Sequence, residues 1–132
     1  MSQIKAIITQ IDYIDNLHIV TFDFYGYSLK MMSLELGDDI KAGREVRLGI
    51  KPTHIAIAKD FSGIVSYANQ LKATIQSIEN GQLLTSLKLG LKGNAVLESI
   101  ITLDSSKKMD LKTGDEVTVF IKASELSIME VL

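Results

Sequence analysis

Two blocks of this sequence occur twice, in the same order, and that repetition limits the folds open to it. Lys5-Ala6-x-Ile8-x-x-Ile11 returns 67 positions later as Lys72-Ala73-x-Ile75-x-x-Ile78. Asp39-Ile40-Lys41-x-Gly43-x-Glu45-Val46-x-x-x-Ile50-Lys51 returns 71 positions later, from Asp110 to Lys122, with Leu111 for Ile40. The chain is therefore read as two copies of one small module, residues 1–65 and 66–132, with four extra residues between the two matching blocks of the second copy. A hairpin or a turn is the simplest place for them. Two copies are too few for a solenoid, which needs three or more repeats to build a continuous core. A barrel of about 65 residues buries only roughly 60% of its unfolded surface. The copies are accordingly expected to pack on each other, on other chains, or both, and a homo-oligomer is the expected state.

Within each copy the apolar residues alternate with the period of two that places one strand face on a core. Val20, Phe22 and Phe24 follow this pattern, as do Leu87, Leu89 and Leu91, then Val46, Leu48 and Ile50, then Val117, Val119 and Ile121. Asn80-Gly81 reads as a tight hairpin turn with both residues at positive φ, and Asp15-Asn16 stands at the matching point of the first copy. Lys92-Gly93-Asn94 supplies another turn. Ser105 to Gly114 can hold one turn of helix, capped by Ser105 or Ser106. The only proline, Pro52, falls just past a strand. Short strands closed by turns predict an all-β chain of two tandem antiparallel barrels of the oligonucleotide/oligosaccharide-binding (OB) type, because closure removes exposed edges.

An apolar fraction of 46% excludes a disordered chain. No apolar run nears the roughly 18 residues that a membrane span requires. The opening Met-Ser-Gln-Ile-Lys has no apolar signal segment, and no cysteine is present, so a cytoplasmic protein is expected. Fourteen basic against sixteen acidic residues, a net charge of −2, argue against a general nucleic-acid binder. An oligonucleotide-binding barrel would need a basic groove beside its exposed Tyr13, Tyr25, Tyr27 and Tyr67.

Catalytic equipment is sparse. His18 and His54 lie far from any metal-ligand spacing, Gly90-x-x-Gly93 is too short for a phosphate loop, and Asp38-Asp39 or Asp12 with Asp15 read as solvated turns. No enzyme activity and no cofactor are expected. The second copy does gather hydroxyls and a lysine at strand ends: Ser66 with Asn69, Thr102 with Ser105, and Lys122-Ala123-Ser124. A tetrahedral oxyanion only accepts hydrogen bonds, in divergent directions, so hydroxyls, amides and one ammonium suit it. On composition alone the plain alternative stands beside this one: Thr102 and Ser105 cap a turn, and Lys122 is a solvated strand end.

Ser66 to Leu132 resembles the Mop module of the molbindins, a TOBE-type domain also found in molybdate importers and in the regulator ModE. The family's Ser-Ala-Arg-Asn stands as Ser66-Tyr67-Ala68-Asn69, its Ile-x-x-Ile-x-x-Gly as Ile75 to Gly81, its Ile-Thr-x-x-Ser as Ile101 to Ser105, and its closing Ile-Lys-Ala-Ser as Ile121 to Ser124. The resemblance implies a tandem di-Mop protein that binds molybdate or tungstate reversibly for storage, buffering or homeostasis. By the same resemblance Ser66, Thr102, Ser105, Lys122, Ala123 and Ser124 hold the anion, Ala123 and Ser124 partly through backbone N–H groups, at contacts between modules. Ala68 replaces the motif's arginine and removes a cation with its fork of donors. The first copy lacks the Thr-x-x-Ser and closes as Gly49-Ile50-Lys51-Pro52-Thr53-His54, similar to the TOBE segments of importer ATPases. Lys51 and Thr53 are its candidate donors. That ending also keeps open a second role, a regulatory or accessory module: a ModE-like sensor without DNA-reading helices, or a partner of an importer ATPase.

Overall fold

The alternating stretches form strands, and the apolar face of each is buried. In a computed structural model covering residues 1–132, the first copy forms β1 (Ser2–Ile14), β2 (Leu17–Phe24), β3 (Tyr27–Ser33), β4 (Glu45–Ile50) and β5 (Ala56–Ala58). The second forms β6 (Asn69–Asn80), β7 (Leu84–Gly90), β8 (Val96–Thr102), a short helix α1 (Leu103–Lys108), β9 (Glu116–Ile121) and β10 (Ser127–Val131). Single 3₁₀ turns follow β4, at Pro52–His54, and β9, at Ala123–Glu125. In β1 the residues Ile4, Ala6 and Ile8 point inward while Lys5 and Ile7 face out, and Leu71, Ala73 and Ile75 do the same in β6. The long strands β1 and β6 each carry a bulge, at Thr9 and Gln76, between a first half that pairs with β4 or β9 and a second half that pairs with β2 or β7. A bulge bends and twists its strand, which lets one strand serve both sides of a small barrel.

Both sheets are antiparallel and five-stranded, in the orders β10-β4-β1-β2-β3 and β5-β9-β6-β7-β8. Each therefore takes its fifth strand from the other copy. Ala56, Ile57 and Ala58 pair with Phe120, Val119 and Thr118, while β10 pairs along β4 from Ser127↔Gly49 to Val131↔Val46. The exchange merges the two interiors: one cluster of 22 buried apolar residues runs from Ile4 through Phe22 and Ile50 to Leu71, Val119 and Leu126. No helix is long and apolar enough to cross a membrane.

A second reciprocal contact ties the barrels. The buried Asn69 side chain accepts from the Lys30 amide at 2.6 Å and donates to the Lys30 carbonyl at 2.9 Å, sealing the edge of β3. At the equivalent place Ser2 Oγ accepts from the Glu98 amide at 2.8 Å. Asn69→Ala removes two hydrogen bonds from a buried position, worth about 2–3 kcal/mol together. Thermal denaturation is expected to show a midpoint lowered by about 10 °C; an unchanged midpoint would mean that the edge is held by something else.

Local details depart from the sequence expectations. Neither Asn80 nor Gly81 has positive φ; the hairpin is a wider loop in which the Gly81 amide donates to the Leu84 carbonyl. Asp15 has positive φ in its two-residue turn, but Asn16 does not. The turn with two left-handed residues is Tyr25-Gly26, at φ 47° and 90°, between the paired Phe24 and Tyr27. The helix starts earlier than expected, at Leu103, and its cap is Thr102, whose Oγ1 accepts from the Ser105 amide. The four extra residues divide between two places. Phe22↔Leu29 and Leu89↔Leu97 give offsets of 67 and 68 across the second hairpin, so one residue enters at the Lys92–Asn94 turn. The other three enter between β8 and Asp110, where α1 has no counterpart.

The chain between the copies is fastened by Lys59. Its Nζ donates to the carbonyls of Met109 and Asp110 and lies 3.2 Å from Asp115 Oδ2. The backbone amide of Lys112 first, then Lys59, holds the Asp115 carboxyl below its ordinary value of 3.8. A depressed folded-state value means that this carboxylate stabilises the fold fully above pH 3.8, and that the contribution is lost as pH falls below 3.8 and through the lower folded-state value. Asp115→Asn is expected to lose less thermal stability than the unaltered chain between about pH 5 and pH 3. Parallel melting curves across that range would expose the opposite result.

Candidate functional site

The barrels meet around the two 3₁₀ turns, which occupy equivalent positions and lie back to back. Each begins with a lysine directly after a buried strand residue: Lys51 after Ile50, Lys122 after Ile121. With about three residues per turn, side chains two positions apart in such a helix point in different directions. Lys122 and Thr53 consequently line one hollow between the copies, and Lys51 and Ser124 another.

On the first side is an open concavity of about 490 Å³. The second copy lines it with Ile100, Ile101, Thr102, Ser105, Lys122, Tyr67 and Glu125, and the first copy with Thr53, His54, Ile55 and Ala56. Thr102 belongs here because it ends β8 and caps α1, and Ser105 because one helical turn brings it back over Thr102. Thr102 Oγ1 donates to Ser105 Oγ at 2.9 Å. One hydroxyl proton is therefore taken up inside the pair and one remains for a ligand. Lys122 makes no ion pair within the chain, so its charge is free. Tyr67 packs on Phe120 with ring centroids 5.2 Å apart, and Phe61 braces Phe120 edge-on at 5.0 Å.

Of the residues singled out in the sequence, Thr102, Ser105 and Lys122 come together here, joined by Thr53 from the other copy. Ser66 does not line this concavity; it sits in the exposed loop before β6. Ala123 is half-buried in its turn, and Ser124 points to the opposite side. Lys51 and Thr53, paired in the sequence as donors of one first-copy site, are separated by the turn geometry. Lys51 lies with Met1, Gly49, Ser124, Ser127, His54 and Glu125 in a smaller hollow of about 230 Å³.

His54 and Glu125 border both hollows, and the His54 Nδ1 is 2.6 Å from Glu125 Oε2. They hold equivalent positions of the two copies, 71 residues apart. Nothing in the local sequence of either residue marks this contact; only the docking of the two copies brings them together. Tyr67 is a further lining residue that the sequence offered only as an exposed aromatic.

The counterpart of the main concavity in the first barrel is different chemistry. It is lined by Met31, Met32, Ser33, Glu35, Leu36, Ile40 and, from the second copy, Ser124, Leu126, Ser127 and Ile128. The missing helix leaves Glu35 and Leu36 where the second copy has its capped turn, and Lys51 lines the adjoining hollow, which shares Ser124 and Ser127.

The family model of the TOBE domain matches residues 66–128. Molybdenum-pterin-binding protein 1 of Clostridium pasteurianum is 32% identical over 65 residues, 49% of this chain and 96% of that protein. The molybdate/tungstate import ATP-binding protein of Pyrococcus horikoshii is 32% identical over 104 residues, 78% of this chain but 29% of that protein. Among solved structures, the cytoplasmic molybdate-binding protein ModG, in a crystal form with molybdate bound, superposes with a TM-score of 0.89 at 25% identity. That superposition covers 96% of this chain and 93% of ModG.

Proposed function

The chain belongs to the Mop family of molybdenum-pterin-binding proteins, and from that membership we propose that it binds molybdate or tungstate reversibly, without catalysis, for intracellular storage, buffering or homeostasis. The observation that carries the reading is the convergence of Thr102, Ser105, Lys122 and Thr53 on one concavity. A dianion leaves water only if its oxygens regain donors, and a cation among neutral hydroxyls offsets much of that cost. The hydroxyl left over from the Thr102–Ser105 pair, the Thr53 hydroxyl and the Lys122 ammonium are donors of the required kind. A cytoplasmic setting is part of the proposal, supported by the likeness to ModG over nearly the whole chain.

The two barrels are not equivalent in this role. Glu35 and an apolar wall replace the hydroxyl pair in the first barrel, and a carboxylate repels an oxyanion. One strong site per chain is therefore the expected stoichiometry. A homo-oligomer is also proposed: Leu83, Leu84 and Ile64 are exposed apolar residues, 81%, 54% and 101% accessible, near Thr102 or on the loop that carries Ser66. Calorimetric titration with molybdate, tungstate and sulfate, with the oligomer mass measured on the same sample, tests all three statements. Heat with the two metal oxyanions at about one per chain is the expected result. No heat with any of them, on folded protein, ends the reading.

A second role is favoured by one observation, the importer ATPase match extending across both copies. In that role the chain is an accessory module that docks on an importer ATPase. Co-purification with such a subunit would separate it from a free-standing store.

A further inference from the structure

Glu125 is out of place in the wall of an anion site. A carboxylate there repels a dianion, yet it borders both the Lys122 and the Lys51 hollows. Its partner explains it. A carboxylate only accepts hydrogen bonds, so the His54 Nδ1 that lies 2.6 Å from Glu125 Oε2 carries a hydrogen. In the neutral ring, the other nitrogen, Nε2, is then a bare lone pair, which repels an oxyanion. In the doubly protonated ring Nε2–H is a donor, and the positive charge cancels that of Glu125. The same wall is repulsive in one protonation state and attractive in the other.

We propose that His54, fixed by Glu125, is an anion-contacting residue in its doubly protonated form, so that each oxyanion bound brings a proton in from solvent. The proposal rests on the reading of the Lys122 concavity as an oxyanion site. Four other groups bear on the ring. Lys122 and Lys51, one in each hollow, repel a positive charge on it, Glu125 attracts one, and Tyr67 lines the Lys122 hollow without a fixed charge partner. The arriving dianion adds to the side of Glu125 and tips the balance. Release is correspondingly promoted as pH rises. Glu125 acts as a positioning residue, since it holds the tautomer and does not itself offer the anion a proton.

Titration calorimetry with molybdate from about pH 6.5 to 8.5, in buffers of different ionisation heat, counts the protons taken up per anion. Molybdate itself carries no proton in that window. The full chain is expected to take up as much as one proton per anion, its affinity falling by up to about tenfold per pH unit at the alkaline end. His54→Gln should bind more weakly at the acid end and show neither proton uptake nor pH dependence. Glu125→Gln should bind more tightly at the alkaline end, because the repelling charge is gone. Binding by the unaltered chain with no proton uptake, or a His54→Gln variant that keeps the pH dependence, overturns the role of His54 while leaving the site intact. No binding at any pH overturns the site itself.

Discussion

Lys122→Ala is expected to weaken molybdate binding by about 30- to 1000-fold, which corresponds to roughly 2–4 kcal/mol. The ammonium is the only fixed cation lining the concavity, and it makes no ion pair within the chain. Removing it leaves a dianion facing neutral hydroxyls and the His54–Glu125 pair, which carries no net charge even with the ring doubly protonated. Its side chain is exposed beyond the end of β9, so the fold should be unaffected, within about 0.5 kcal/mol. Lys51→Ala is the matched control, because Lys51 faces the other hollow and should change affinity far less. Equal losses from the two substitutions would show that general positive charge, and not the Thr102–Ser105–Lys122 grouping, attracts the anion.

Residues 66–132 produced alone are expected to form a dimer. In the whole chain β9 receives β5 from the first copy and gives β10 away to β4. An isolated second copy has an open edge at β9 and an unpaired β10 with Ile128 and Val131 exposed, a state that sheets avoid. The two defects are complementary, since Ser127 and Ala56 hold equivalent positions, 71 residues apart. Two such chains can exchange their β10 strands and rebuild the two-barrel unit at the cost of association alone. Sedimentation should give an even multiple of the fragment mass, twice for one exchanged pair and more where pairs associate as whole chains are proposed to, and removal of 127–132 should abolish both the pairing and cooperative unfolding. A cooperatively folding monomer of 66–132 would show that the exchanged strand is dispensable.

The strands were legible because their physics is local. Alternation at Val20-Phe22-Phe24 and Val117-Val119-Ile121 reports a half-buried strand whatever lies across from it. The fold class followed from these strands and the turns between them. Two details depended on neighbours and were misplaced. Asn80-Gly81 has the composition of a tight turn, but its strands stop short and leave a wider loop, whereas Tyr25-Gly26, with a bulky first residue, makes the turn with both residues at positive φ. Thr102 was legible as a residue able to cap a turn, but the helix was expected behind a serine cap, and it begins at Leu103, three residues before a Ser105 cap would start it.

Of the candidate site, the chemistry was legible and the grouping only in part. Thr102 and Ser105 are three residues apart, so one turn joins them without help from the rest of the molecule. Thr53, His54 and Glu125 reach the concavity through the exchange of strands between copies, and no spacing in the chain encodes that.

The sequence by itself determined that this protein is a duplicated β module with hydroxyls and a lysine at strand ends, because repeats, alternation and side-chain chemistry are written residue by residue. The tertiary structure alone decided which lysine serves which hollow, that each barrel borrows its last strand, and that a histidine and a glutamate meet between the copies. Those outcomes depend on how two nearly identical surfaces dock, and docking is governed by shape and burial summed over both copies.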